Sequence, residues 1–195
     1  RPTESNTPVF DRQGLQRQGT IMSDMTLQNF ITCDLLDDNP ECQVCAPNME
    51  GKRFFSYGGN TKFGGEVVTV KCFEDNSRVK ELLATHGKDE KGNGKVLVVD
   101  GGASMRCALL GDMIAQSAVD NGWAGVIVYG CVRDVDDMGK MPIGVQALGA
   151  IPRKSNRKGV GETDIEISFG GLTINSGMYV YADNNGIILS QKSLI

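Results

Sequence analysis

The sequence predicts a mixed α/β fold, with β-layers and helices to one side. Three observations predict it. First, VLVV at 96–99 and GVIVY at 125–129 are short, near-continuous apolar runs bounded by polar loops, the pattern of strands buried on both faces. Second, helical patterning lies beside them, at 77–85 and 112–120. Third, beyond Pro142 short apolar segments recur between glycine turns, so the strand content is highest in the flanks. A plain doubly wound sheet is the second arrangement.

In chain order, residues 1–22 are polar, contain Pro2, Pro8, Gly14 and Gly19, and show no sustained periodicity, so they read as a flexible N-terminal tail. The remainder, 23–195, reads as one domain, as the length allows. Thr32 is placed to cap a short helix over 33–37, which Asn39-Pro40 ends. Residues 42–59 are irregular. Phe63-Gly64-Gly65 opens a strand at 66–73, rich in β-branched residues. Asn76 or Ser77 caps the next helix, through Thr85, with Val79, Leu82 and Leu83 at helical spacing. A solvated loop at 88–94 leads to a strand at 95–100, and Gly101-Gly102 make a tight turn. A first helical piece is expected over 104–110. Gly111 interrupts it, and Asp112 caps a second helix to about 120. The strand 125–129 then empties into an Arg133-Asp134 loop. Further strands are expected at 145–151, 165–169, 172–174, 178–181 and 187–189, with Asn184-Asn185-Gly186 as a tight turn.

Charge and composition narrow the function. A net charge of −4 and a pI near 5.1 argue against direct nucleic-acid binding, which needs a basic surface. The RKSNRK run at 153–158 reads as a solvated loop, with a partner or RNA contact as the lesser reading. No apolar run approaches the ~20 residues that span a bilayer, and no segment reads as a secretory signal. Six cysteines lie scattered through apolar segments, which suits a reducing, cytoplasmic setting. Cys42-x-x-Cys45 lacks two further ligands at zinc spacing and reads as an ordinary loop pair. The one histidine, His86, falls at a helix C-terminus, where it solvates or caps. Acid–base work in an enzyme would then fall to carboxylates, a metal-bound water, or both.

The candidate site lies where the two central strands end. Ligands of open α/β sheets sit outside the carboxyl ends of the strands. There, Gly111 permits close backbone approach, and a helix starting at Asp112 offers the N–H groups of Asp112, Met113 and Ile114 to a carboxylate or phosphate. The segment is neither a Walker A loop nor GxGxxG, so a nucleotide is poorly supported. Arg133 is suited to holding a carboxylate or enolate oxygen bidentately. Asp134 is suited to a hard cation such as Mg²⁺ or Mn²⁺, with water and substrate completing its shell. Alone, each piece reads as a plain N-cap or a surface ion pair. Asp136 and Asp137 read either as supporting ligands or as a solvated acidic run. Arg106 reads as facing the anion pocket or, more simply, as a surface helical arginine.

Together the pieces are more specific. Asp112 is followed after twenty residues by Arg133-Asp134 and then by Asp137; VDGG stands at 99–102, NGWAGVIVYG at 121–130 and YADNNGIILS at 181–190. This combination closely resembles the RraA-like family, which includes RraA-type regulators of ribonuclease activity and class II 4-hydroxy-4-methyl-2-oxoglutarate aldolases. The resemblance runs from about 32 to 194. It implies a swivelling β/β/α domain and a homotrimer, or a dimer of trimers, with sites near subunit interfaces. It implies a small 2-oxo acid as substrate and a divalent cation as cofactor. By residue, it implies that the backbone amides of Gly111, Asp112, Met113 and Ile114 bind the pyruvyl carboxylate, and that Arg133 holds the keto or enolate oxygen. Asp134 would ligate Mg²⁺ or Mn²⁺, mainly through water, and Asp112 would position a water that transfers the proton. Both aldol cleavage and oxaloacetate decarboxylation would use the same electron sink. The alternative is a non-catalytic regulator that binds and inhibits a ribonuclease through protein contacts. KCFEDN at 71–76 and GVGETDIEISFGG at 159–171 look regulator-like. Regulators of this family can lack Asp134 and Gly111-Asp112, all of which this chain has.

Overall fold

The structure, a computed structural model, describes residues 29–46 and 53–195. The tail expected at 1–22 lies outside them, as does part of the irregular 42–59 segment.

The elements in order are α1 (Thr32–Asp38), β1 (Gln43–Val44), β2 (Phe55–Ser56), β3 (Phe63–Lys71), α2 (Ser77–Leu83), β4 (Val96–Asp100), β5 (Ala108–Leu110), α3 (Asp112–Asp120), β6 (Gly125–Val132), α4 (Val135–Met138), β7 (Gly144–Ala150), β8 (Glu162–Thr163), β9 (Ile167–Phe169), β10 (Leu172–Ile174), β11 (Tyr179–Asp183) and β12 (Gly186–Ser190). Ten strands form one mixed sheet in the order β1-β12-β11-β3-β4-β6-β7-β2, with β5 beside β6 and β8 beside β3. Its centre is parallel: β3 pairs β4, β4 pairs β6, and β6 pairs β7. The hairpin β9–β10 forms a separate two-stranded layer.

Side-chain alternation decides which layer packs where. Leu97 and Val99 of β4 join Val79 and Leu83 of α2 and Ile114, Ala115 and Ala118 of α3 in one core. The intervening Val96 and Val98 face the β9–β10 hairpin in a second core with Ile167, Phe169, Leu172 and Ile174. On β11, Tyr181 packs with Phe30 and Leu35 beside α1, while Val180 and Ala182 face the hairpin layer. So α1, α2 and α3 share one face of the sheet and the hairpin covers the other, which is the expected arrangement of β-layers with helices on one side. Trp123 ties the loop after α3 to the end of α2: it is buried, and its indole N–H donates to the Thr85 carbonyl at 3.1 Å.

The first helical piece expected over 104–110 is not present. Residues Ala108–Leu110 are a strand, because Ala108 and Leu110 take ladder places opposite Cys131 and Val132. Before it, Ser104 and Arg106 turn to Glu74: Ser104 Oγ donates at 2.7 Å and Arg106 Nε at 2.6 Å to the same oxygen. Tertiary pairing outweighs the mild helix propensity of Ala, Leu and Arg here. Strand β6 also runs to Val132, past the expected end at 129. The extra residues pair with β5 on one side and with Gly149 and Ala150 on the other. Caps shift as well. Thr32 lies inside α1, and its hydroxyl bonds Asp183. The carboxylate at the start of α2 is that of Asp75, which accepts the Ser77 N–H at 2.9 Å, while Asn76 Nδ2 turns to the Leu109 carbonyl at 3.2 Å.

Candidate functional site

The extension of β6 delivers Arg133 and Asp134 directly off the carboxyl end of the parallel sheet. Beside them β5 ends at Leu110, whose carbonyl accepts the Arg133 N–H at 2.9 Å. One ladder bond therefore ties the start of α3 to the end of β6. Gly111 is extended (φ −141°, ψ −176°) and occupies the N-cap position of α3; Asp112 is the first helical residue.

Asp134 has a left-handed backbone, φ 55° and ψ 40°. A non-glycine residue there costs about 1–3 kcal/mol, and such residues cluster where function constrains the chain. This conformation reverses the chain into α4 and turns the carboxylate back toward α3. Asp134 Oδ2 accepts from Arg133 Nε at 3.0 Å and from the Asp112 N–H at 3.4 Å. Gly111 makes this possible: a Cβ there would stand 2.7 Å from Asp134 Oδ2 and 3.2 Å from Arg133 Cγ. The Arg133 and Asp134 side chains are 36% and 32% exposed, so the pair is open to solvent and adds little to stability. Asp112 Oδ1 accepts the Met113 N–H at 2.7 Å. Met113 is 82% exposed, whereas Ile114 packs into the core.

The structure thus gathers Gly111, Asp112, Arg133 and Asp134 at one place. Of the two further carboxylates, Asp137 faces Lys140, with its Oδ1 3.8 Å from the Lys140 Nζ. Arg106 is neither helical nor at the corner's centre; it pairs with Glu74 and lies over the Phe73 ring, 5.6 Å from the centroid. The backbone at Asp134 has no clear sequence signature. Its one signal is that Asp tolerates the left-handed region better than most residues. The same conformation at Glu74 and Ala103, in the loops after β3 and β4, gave none.

Among the described residues no group of three or more His, Cys, Asp or Glu is arranged to hold a metal ion. A cation at this corner would have Asp134 as its protein anchor, with oxygen donors from water and ligand around it, a set that suits a hard divalent ion. Thiolate chemistry is disfavoured at Cys72 and Cys45. Burial first, then the nearby Asp75 and Asp100, pushes the Cys72 thiol up to about 12, and burial pushes Cys45 up to about 11.

A cavity of about 750 Å³ lies elsewhere, between α1, the β11–β12 turn and Phe54. Four of its polar residues already bond one another: Asp183 binds Thr32 and Asn185, and Gln146 Nε2 donates to the Asp183 carbonyl. Two of its walls, Ala46 and Arg53, flank residues 47–52, which are outside the described set. The α3–β6 corner is where the guanidinium, the carboxylates and the helix start meet.

Fold and corner together define a class: an α/β protein in which a helix start, a guanidinium and a carboxylate converge at the carboxyl end of a parallel sheet. The family model described as RraA-like, Aldolase/RraA, matches residues 32–189, and the chain belongs to this family. A protein of Acinetobacter baylyi named "Putative 4-hydroxy-4-methyl-2-oxoglutarate aldolase" is 60% identical over 168 residues, 85% of this chain and 96% of that one. Among solved structures, the RNA-processing inhibitor RraA from Thermus thermophilis is similar with a TM-score of 0.77 and 40% identity, over 84% of this chain and 94% of that one. A Geobacillus kaustophilus protein described as an S-adenosylmethionine:2-dimethylmenaquinone methyltransferase is similar with a TM-score of 0.78 and 46% identity, over 85% and 97%.

Proposed function

We propose that this protein is a divalent-metal-dependent lyase acting on pyruvyl 2-oxo acids, by aldol cleavage of 4-hydroxy-4-methyl-2-oxoglutarate, decarboxylation of oxaloacetate, or both. The observation that carries the reading is the meeting of Arg133, Asp134 and the α3 start, with Gly111 bare of a side chain so that they can meet. The name borne by the Acinetobacter relative supports it.

These residues account for the chemistry. In the 2-oxo acid the C3–C4 bond breaks, and its electron pair moves onto C3 and the C2 carbonyl, leaving a pyruvate enolate. The N–H groups at the α3 start hold the C1 carboxylate. Arg133 donates to the C2 oxygen, where negative charge grows, and so favours the transition state over the ground state. In the aldol case a proton leaves the C4 hydroxyl. Asp112, at the mouth of α3, orients the water that takes it. The enolate is then protonated at C3, giving pyruvate. Asp134 would hold a Mg²⁺ or Mn²⁺ ion, which when bound would supply further positive charge for the developing oxyanion. Oxaloacetate loses carbon dioxide to the same electron sink.

The proposal includes a homotrimer, or a dimer of such trimers, and a cytoplasmic location. Among the described residues no helix is long and apolar enough to cross a membrane. The test is pyruvate release from both acids, with magnesium or manganese and with EDTA. The likeness to the Thermus RraA structure favours a second reading, a regulator that binds a ribonuclease by protein contact. Pull-down from lysate and then an RNA-decay assay separate the two. A regulatory effect that survives Arg133→Ala belongs to the second reading alone.

A further inference from the structure

We infer that the cation and the 2-oxo acid enter this corner in a fixed order, cation first, because the Asp134 carboxylate is the resident anion at the place the acid's carboxylate needs. The inference rests on the proposed function and adds how the same site is regulated.

The α3 start and Arg133 are the groups that would hold the acid; the first N–H of the helix, that of Asp112, and Arg133 already point at one oxygen, while the Met113 N–H is held by Asp112 Oδ1. Asp134 Oδ2 takes Arg133 Nε at 3.0 Å and the Asp112 N–H at 3.4 Å. Gly111 has no side chain to keep this oxygen away. A second carboxylate arriving at the same helix start would meet a like charge within contact range, which disfavours both staying ionised and together. The Arg133 bond runs through Nε, so the ends of its fork remain to serve the acid's oxygen. The helix start is what must be vacated.

A divalent cation is the ligand that gains from this arrangement. It is attracted by the carboxylate that repels the acid, and by drawing Asp134 to itself it uncovers the Asp112 N–H and offsets the negative charge. Release is easy. The 3.4 Å bond is long for an N–H donor, and the pair is about one-third exposed. The Asp134 side chain makes no capping hydrogen bond to α4, so the helix does not depend on its carboxylate.

Pyruvate binding without turnover tests this, measured by calorimetry on the full chain with and without magnesium. Asp134→Gly is the informative variant, because φ 55° suits glycine and the substitution removes the carboxylate without straining the turn. Asp134→Asn is the second variant, close in size but uncharged, and melting curves confirm that both are folded. Wild type should bind pyruvate about tenfold more weakly without magnesium than with it. Without magnesium, both variants should bind it several-fold more tightly than wild type, and magnesium should no longer matter to them. If wild-type affinity is the same with and without magnesium, or if both variants bind no more tightly than metal-free wild type, the fixed order is overturned while the proposed function stands. If wild type binds no pyruvate under either condition, the proposed function falls and the order falls with it.

Discussion

Thr32 and Asp183 stand 151 positions apart and are joined by two buried hydrogen bonds: the Thr32 N–H donates to Oδ2 at 2.9 Å and its hydroxyl to Oδ1 at 2.7 Å. The Asn185 N–H adds a third, at 2.8 Å. One carboxylate thus fastens the first helix to the last hairpin. Burial alone would raise the Asp183 pKa, but the bonds from Thr32 and Asn185 outweigh it and hold the carboxyl below the usual range. Its folded value is depressed, so its contribution is present above the unfolded value of about 3.9 and is lost as pH falls through the folded one. Asp183→Ala should cost about 1–3 kcal/mol in urea unfolding at neutral pH. The gap to wild type should narrow below about pH 4.

Gly111→Ala should leave the fold nearly intact and remove activity. The new Cβ would meet two flexible side chains, Asp134 at its Oδ2 (2.7 Å) and Arg133 along its stem at Cγ (3.2 Å), so those side chains yield. Displacement of about 1 Å at a reacting centre costs on the order of 100-fold in rate. Steady-state pyruvate release beside a melting curve checks both halves.

Arg133→Ala should lower kcat/KM by about 100- to 1,000-fold, as loss of an oxyanion donor does. Stability should change by less than about 1 kcal/mol, since the ion pair with Asp134 is partly exposed. Arg133→Lys should restore little, because an ammonium lacks the planar fork.

Gly144→Ala should be a folding defect without a site defect. Phe63 lies across Gly125 and Gly144 on neighbouring strands β6 and β7, and a Cβ at either glycine would overlap its ring. The collision is with a packed aromatic in the core, so overpacking of about 1–3 kcal/mol is expected in denaturant unfolding. Phe63→Leu combined with Gly144→Ala should recover part of it.

Strands with unbroken apolar runs were legible because burial on both faces leaves a compositional mark: 96–99 and 125–129 lie within β4 and β6, and 172–174 coincides with β10. The interval from Asp112 to Arg133-Asp134 was legible as a pattern, and the fold turns it into one corner. Strand β5 was not legible. Ala108-Leu109-Leu110 suits a helix as well as a strand, and only its pairing with Cys131 and Val132 decides. The left-handed turn at Asp134 was hidden for a related reason, since it is imposed by α4 on one side and the start of α3 on the other. Partners chosen from more than a hundred residues away, as Thr32 chooses Asp183, leave no local trace.

Pyruvate release from 4-hydroxy-4-methyl-2-oxoglutarate and from oxaloacetate, measured with magnesium, with EDTA, and with magnesium restored, tests the pyruvyl-lyase reading most directly. Release that appears with the metal, stops with the chelator and returns with the metal is the expected result. No metal-dependent release from either acid would contradict it.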